Sequence, residues 1–180
     1  MEFYDKYFTQ ITSSVKSIDH ELLESAVKTL LKTSHAHGKI IIAGNGGSAA
    51  MASHASVDLT KNAGVRSVNF NESDLITCFA NDYGYNDWVA KAIEFYGDSN
   101  DCAILISSSG SSLNILSGAL EAKQMGLRVI TFSGFSPDNP LRESGDMNFW
   151  IGSDQYNIVE MTHHIWLLSI VDRIIEKQMI

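Results

Sequence analysis

Between residues 2 and 37 apolar side chains recur every three or four positions: Tyr7, Ile11, Val15 and Ile18, then Leu22, Leu23, Ala26, Val27, Leu30 and Leu31. That spacing lays them along one face of a helix. Ser17-Ile18-Asp19-His20, followed by Glu21, breaks the stripe with a residue suited to capping, so two helices are expected rather than one. Beyond residue 38 the pattern changes. Short apolar runs at 39–43, 66–70, 102–107, 128–132 and 148–151 read as buried strands, and segments at 47–61, 72–79, 88–96, 112–125 and 158–177 read as helices. Asn62-Ala63-Gly64 and Gly126 are helix stops, residues 81–87 a polar turn, and 133–140 a Pro-containing loop. Apolar strands alternating with helices predict an α/β fold: a doubly wound, five-stranded parallel sheet with helices on both faces. Residues 1–37 are then a helical extension to a core at 38–180, and the chain is one domain. The first helix has little sheet to cover, so part of its apolar face is expected to meet another subunit.

Composition agrees with one such domain. The 180 residues are 44% hydrophobic and 19% charged, enough to build a core without metal or disulfide staples. A formal net charge of -8 argues against a partner held by phosphate neutralisation, so no direct nucleic-acid contact is expected. Cys78 and Cys102 sit in apolar contexts without metal-ligand spacing and are expected to be reduced, buried thiols. The opening residues do not read as a signal peptide, and no apolar run approaches membrane-spanning length, so a cytoplasmic protein without a membrane partner is expected.

Two strand-to-helix junctions carry the candidate chemistry. The run Ile40-Ile41-Ile42 feeds Gly44-Asn45-Gly46-Gly47-Ser48, and Ile104-Leu105-Ile106 feeds Ser107-Ser108-Ser109-Gly110-Ser111-Ser112. Each junction aims backbone N–H groups and a helix dipole at one spot, which favours an anion. Serines in the second junction are also placed to cap the helix that follows. Gly44-x-Gly46-x-x-Ala49 also fits a loose dinucleotide fingerprint, with Glu72 as the ribose-holding acid. A phosphosugar fits better: Asn45 and Ser48 put polar side chains in the loop, the serine run has no role in a dinucleotide site, and His54 and Asp58 follow on the helix.

Three motifs in order, Gly44–Ser48, Ala80-Asn81-Asp82-Tyr83-Gly84-Tyr85 and Ile106–Ser112, make the chain resemble the sugar isomerase (SIS) domain family, specifically its phosphoheptose isomerase branch. The likeness spans nearly the whole chain and implies the flavodoxin-like SIS fold. It also implies a homotetramer with sites between subunits, and interconversion of sedoheptulose 7-phosphate with a heptose 7-phosphate through an enediol-type proton transfer, feeding surface polysaccharide. By that likeness Ser107, Ser108, Ser109 and Ser112 hold the phosphate, Asn45, Gly46, Gly47 and Ser48 cradle the sugar, and Asp82 lies near its hydroxyls.

The acid–base positions depart from the family. The family places a histidine and a glutamate four apart after the glycine loop, and a glutamine and a histidine eight apart on the last helix; together they bind a metal. Here those positions read His54, Asp58, Glu160 and Leu168. Leucine can neither ligate a metal nor move a proton. Glu160 and His164, four apart, share a helix face as His54 and Asp58 do, so His54, Asp58, Glu160 and His164 form an expected set for Zn2+, with Glu160 also on the substrate. Asp58 and His164 are then the expected proton-transfer residues. The alternative reading is a phosphosugar-binding or regulatory protein of the same fold that has lost turnover at Leu168. His163 points about 100° from His164 and is expected to be buried structure or an interface contact. His35 and His37 are expected to end a helix, His20 to lie on the surface, and Tyr83 and Tyr85 to line the sugar pocket or pack the turn.

Overall fold

The computed structural model describes residues 2–179. Two helices, α1 (Glu2–Lys16) and α2 (His20–His35), precede β1 (Ile40–Gly44), α3 (Gly47–Lys61), β2 (Ser67–Asn69), α4 (Ser73–Tyr83), α5 (Trp88–Tyr96), β3 (Cys102–Ser107), α6 (Leu113–Gln124), β4 (Arg128–Ser133), β5 (Met147–Trp150) and α7 (Tyr156–Gln178). The break before α2 is capped as its sequence suggests, with the Asp19 carboxylate accepting from the Glu21 N–H at 2.9 Å.

The strands form one parallel sheet in the order β2-β1-β3-β4-β5. Alternate residues along each strand supply two separate cores. Ile40, Ile42, Ile104, Ile106, Ile130 and Phe132 face α2, α3 and α7, and Ile41, Ala43, Ala103, Leu105 and Val129 face α5 and α6. Both faces are dry, which is why the strands read as apolar runs rather than as alternating ones. The Phe132 and Phe149 rings stack at 4.6 Å in the first core.

Three boundaries depart from expectation. β2 is only three residues long, at the sheet edge, where one neighbour rather than two holds it. α4 runs on to Tyr83 through half of the expected turn, because Asn81 and Asp82 extend the helix until Gly84, at φ 87, ends it. α7 begins at Tyr156, two residues early. α1 packs on α7, where the Trp166 indole N–H donates to the Val15 carbonyl at 2.8 Å. Its outer face leaves Phe3, Tyr4 and Phe8 more than 60% exposed.

Candidate active site

Because β1 connects outward to β2 on one side and β3 lies on the other, the chain reverses direction between β1 and β3. Crevices of this fold class open at that point, beyond the carboxyl ends of the strands. Gly44 and Ile106 are register partners there, so the glycine and serine loops leave adjacent strands side by side. Between them lies a cleft of about 110 Å³ lined by Asn45, Ser48, Ile106, Ser107, Ser108, Ser109, Ser112, Tyr156 and Glu160. A larger cavity, about 370 Å³, sits at the opposite, amino-terminal end of the strands among Lys32, Asp101, Arg128 and Asp146, away from both loops.

The glycine loop is shaped by two backbone constraints. Gly46 holds φ 55 and ψ −122 at the start of α3, a conformation that side chains disfavour. Gly47 has no room for a side chain: a Cβ there would lie 2.3 Å from Glu160 Oε2. The Glu160 carboxylate of α7 thus rests against the amino terminus of α3. Asn45 is fixed by a reciprocal amide pair with buried Asn114, its Nδ2 donating to Asn114 Oδ1 at 2.9 Å and Asn114 Nδ2 donating back at 2.8 Å. The Tyr85 hydroxyl donates to the same Asn45 Oδ1 at 3.2 Å.

In the serine loop, Ser107 Oγ donates to Ser112 Oγ at 3.0 Å, and the Gly110 N–H donates to the Ser107 carbonyl at 2.9 Å. Ser112 occupies the cap position of α6, yet its side chain makes no cap bond, contrary to the expected capping role; it is paired with Ser107 instead. Ser108 Oγ is buried and has no hydrogen-bond partner among the described residues. A buried hydroxyl without a partner costs about 1–3 kcal/mol, and a ligand oxygen in the cleft would remove that cost.

The expected proton-transfer residues stand beside this cleft rather than in its wall. His54 Nδ1 and His164 Nε2 face each other at 3.0 Å with the rings edge to face, and His54 Nε2 lies 3.3 Å from Asp58 Oδ2. Burial and the neighbouring His54 ring both push the His164 pKa below its usual value. His164 sits one helical turn, about 6 Å, from Glu160 along α7. Leu168, a further turn on, packs against the first core.

The four expected zinc ligands do not come together as a metal-binding group: among the described residues no group of three or more His, Cys, Asp or Glu side chains is placed to hold an ion. Glu160 is turned to Gly47, while both His54 nitrogens face protein partners. Asp82 is exposed on α4, accepting from Asn81 Nδ2 at 2.8 Å and from the Cys78 thiol at 3.7 Å, and does not line the cleft. Cys102 is buried as expected, but Cys78 is exposed on α4, where the Asp82 charge pushes its pKa up. Gly46 and Gly47 are outside the lining as well. His163 is fully buried, with Nε2–H donating to the Ser133 carbonyl at 2.9 Å, and burial lowers its pKa to about 4.

Tyr156 and Asn114 were not anticipated. Tyr156 carries no local signal beyond standing one turn before Glu160. Asn114 is a polar residue on the inner face of an amphipathic helix, a signal that could have marked it. Tyr85 reaches the site; Tyr83 packs edge-on against Phe79.

The family model for the SIS domain matches residues 3–134. A phosphoheptose isomerase of Helicobacter pylori (strain P12) is 33% identical over 174 residues, covering 93% of this chain and 88% of the relative. The structure of a phosphoheptose isomerase from Neisseria gonorrhoeae superposes with a TM-score of 0.89 at 23% identity, over 96% of this chain and 98% of that one. A phosphoheptose isomerase structure from Francisella tularensis gives a TM-score of 0.87 at 23% identity, over 98% and 95%. The two structures share the fold, and the domain match with the Helicobacter relative goes further: this chain belongs to the SIS domain family, in its phosphoheptose isomerase branch.

Proposed function

We propose that the protein is an aldose–ketose isomerase acting on sedoheptulose 7-phosphate or a closely similar sugar phosphate. The observation that carries this reading is the cleft itself, where Ser107, Ser109 and Ser112 join the unpartnered Ser108 hydroxyl at the start of α6 and Glu160 and Asn45 share the lining. The serine hydroxyls and the α6 amino terminus bind the phosphate. Asn45, Ser48 and Glu160 take the carbonyl and hydroxyl end.

Isomerisation moves one proton between adjacent carbons, so a group beside the cleft must accept it and return it. His164, whose pKa burial and the His54 ring push below the usual imidazole value, is the residue beside the cleft that takes this role. His54 Nδ1 at 3.0 Å orients the His164 ring, and Asp58 stands 3.3 Å from the far nitrogen of His54. The exposed aromatic face of α1 supports a homo-oligomer, with a tetramer whose sites lie at subunit interfaces as the specific reading. No described helix is long and apolar enough to cross a membrane. A cytoplasmic enzyme supplying heptose for surface polysaccharide is consistent with that.

NMR observation of sedoheptulose 7-phosphate incubated with the protein, with and without added zinc, tests the reading. Appearance of the aldose phosphate is the expected result. Saturable binding with no turnover in either condition would favour the second reading, a phosphosugar-binding regulator, which Leu168 supports by leaving the last family acid–base position without a proton.

A further inference from the structure

The serine loop has no helix-capping bond of its own, yet its position determines where a phosphate can sit. Its support comes from behind, from the segment between β4 and β5. The Gly134 N–H donates to the Ser108 carbonyl at 2.9 Å, and the Leu141 N–H donates to the Gly110 carbonyl at 3.0 Å. Between those two anchors stands Asn139, 3% exposed and outside the cleft lining.

Asn139 uses both ends of its amide. Nδ2 donates to the Ser136 carbonyl at 2.8 Å and the Gly134 carbonyl at 3.1 Å, with Ser133 Oγ at 3.2 Å, while Oδ1 accepts from the Arg142 N–H at 2.9 Å. The same Oδ1 lies over Gly110, where an added Cβ would come within 1.9 Å of it. Gly110 also holds φ 68, which glycine tolerates and other residues resist. One buried amide therefore shapes the supporting segment, sets the spacing of its two anchors, and packs directly against the loop that they hold.

We propose that Asn139 is a positioning residue for the phosphate site: it acts through Gly134, Leu141 and Gly110 to hold Ser107–Ser112 in their binding arrangement without touching the ligand. This rests on the serine loop being the phosphate site. Groups set about 1 Å out of place lose much of a binding or catalytic advantage, so the effect of removing the amide falls on the phosphate end of the substrate.

The test compares Asn139→Ala with Ser108→Ala, using sedoheptulose 7-phosphate turnover and competitive inhibition by inorganic phosphate. For Asn139→Ala the expected result is a KM and a phosphate inhibition constant each raised about tenfold, with kcat within about twofold. A merely destabilised fold would lower the active fraction, and hence apparent kcat, without moving either constant. If Ser108→Ala raises both constants and a folded Asn139→Ala raises neither, the positioning role is wrong and the phosphate site stands. If neither variant alters phosphate inhibition, the phosphate site is wrong and this inference falls with it. Should Asn139→Ala not fold, wild-type protein titrated with inorganic phosphate is followed by 15N NMR. Joint shifts of the Asn139 side-chain amide and of the Gly134 and Leu141 N–H groups are expected, and their invariance while Ser108–Ser111 shift would overturn the proposal.

Discussion

His54 Nδ1 and His164 Nε2, from helices α3 and α7, face each other at 3.0 Å, and Asp58 closes the chain on the far nitrogen of His54. Two imidazoles at that distance repel when both carry charge. His164→Ala is expected to lower kcat for sedoheptulose 7-phosphate by about 100-fold with little change in KM, the signature of lost acid–base assistance. Steady-state kinetics checks this, and an unchanged kcat would remove His164 from the mechanism.

The same contact predicts a titration shift. The His164 pKa is lowered first by burial and then by the His54 ring. Replacing His54 with Ala removes the second cause and opens the first to solvent, so the His164 pKa should rise. An NMR titration of the imidazole C–H resonances in His54→Ala reads the direction; a fall would mean that His54 stabilises the protonated form instead.

Gly47→Ala should cost activity out of proportion to its size. Its Cβ would overlap the Glu160 carboxylate, which must then leave the amino terminus of α3. A loss of about tenfold or more in kcat/KM is expected with the fold retained. Circular dichroism alongside the assay separates this from unfolding, and wild-type kinetics would show that the position of Glu160 does not matter.

Asn114→Ala leaves the half-buried Asn45 amide without its reciprocal partner. Loss of that pair costs about 1–3 kcal/mol. Urea unfolding should show the decrease, and KM should rise because Asn45 loses its fixed orientation. Unaltered stability would show that water replaces the missing amide without penalty.

His163 makes stability depend on pH. Its folded pKa of about 4 lies below the unfolded value of 6.5, so the unfolded chain binds the extra proton first as pH falls. Stability is therefore complete above pH 6.5 and declines down to about pH 4, by ~3 kcal/mol from this group alone. Thermal melts between pH 8 and pH 5 should show a steeper decline in wild type than in His163→Gln; equal slopes would place the acid sensitivity elsewhere.

The architecture was legible because its signals are local. Apolar runs such as Ile40–Ile42 and stops such as Gly126 announce strands and helix ends from a few neighbouring residues. The two loops of the cleft were legible for the same reason, as each lies within one strand-to-helix junction. Contacts that join distant parts of the chain were not. The Asn45–Asn114 amide pair and the packing of Asn139 on Gly110 depend on how neighbouring strands and their loops meet, which no spacing rule reports. The zinc set shows the limit from the other side. Shared helix faces place His54, Asp58, Glu160 and His164 near one another, but side-chain torsions decide what each carboxylate faces, and Glu160 faces Gly47. Asp82 lies outside the cleft lining for a related reason: α4 continues past Ala80 and carries it on an exposed stretch of helix.

The lodging of Glu160 against Gly47 gives the cleft a sense of direction. A phosphate arriving at the glycine loop meets a negative charge already seated in the field of α3, whereas the start of α6 offers hydroxyls and no carboxylate. A molecule with one anionic end is therefore accepted one way round. Under the proposed function, a sugar whose phosphate sits at the serine loop turns its other end toward Glu160, and the number of carbons between them sets which atom arrives there.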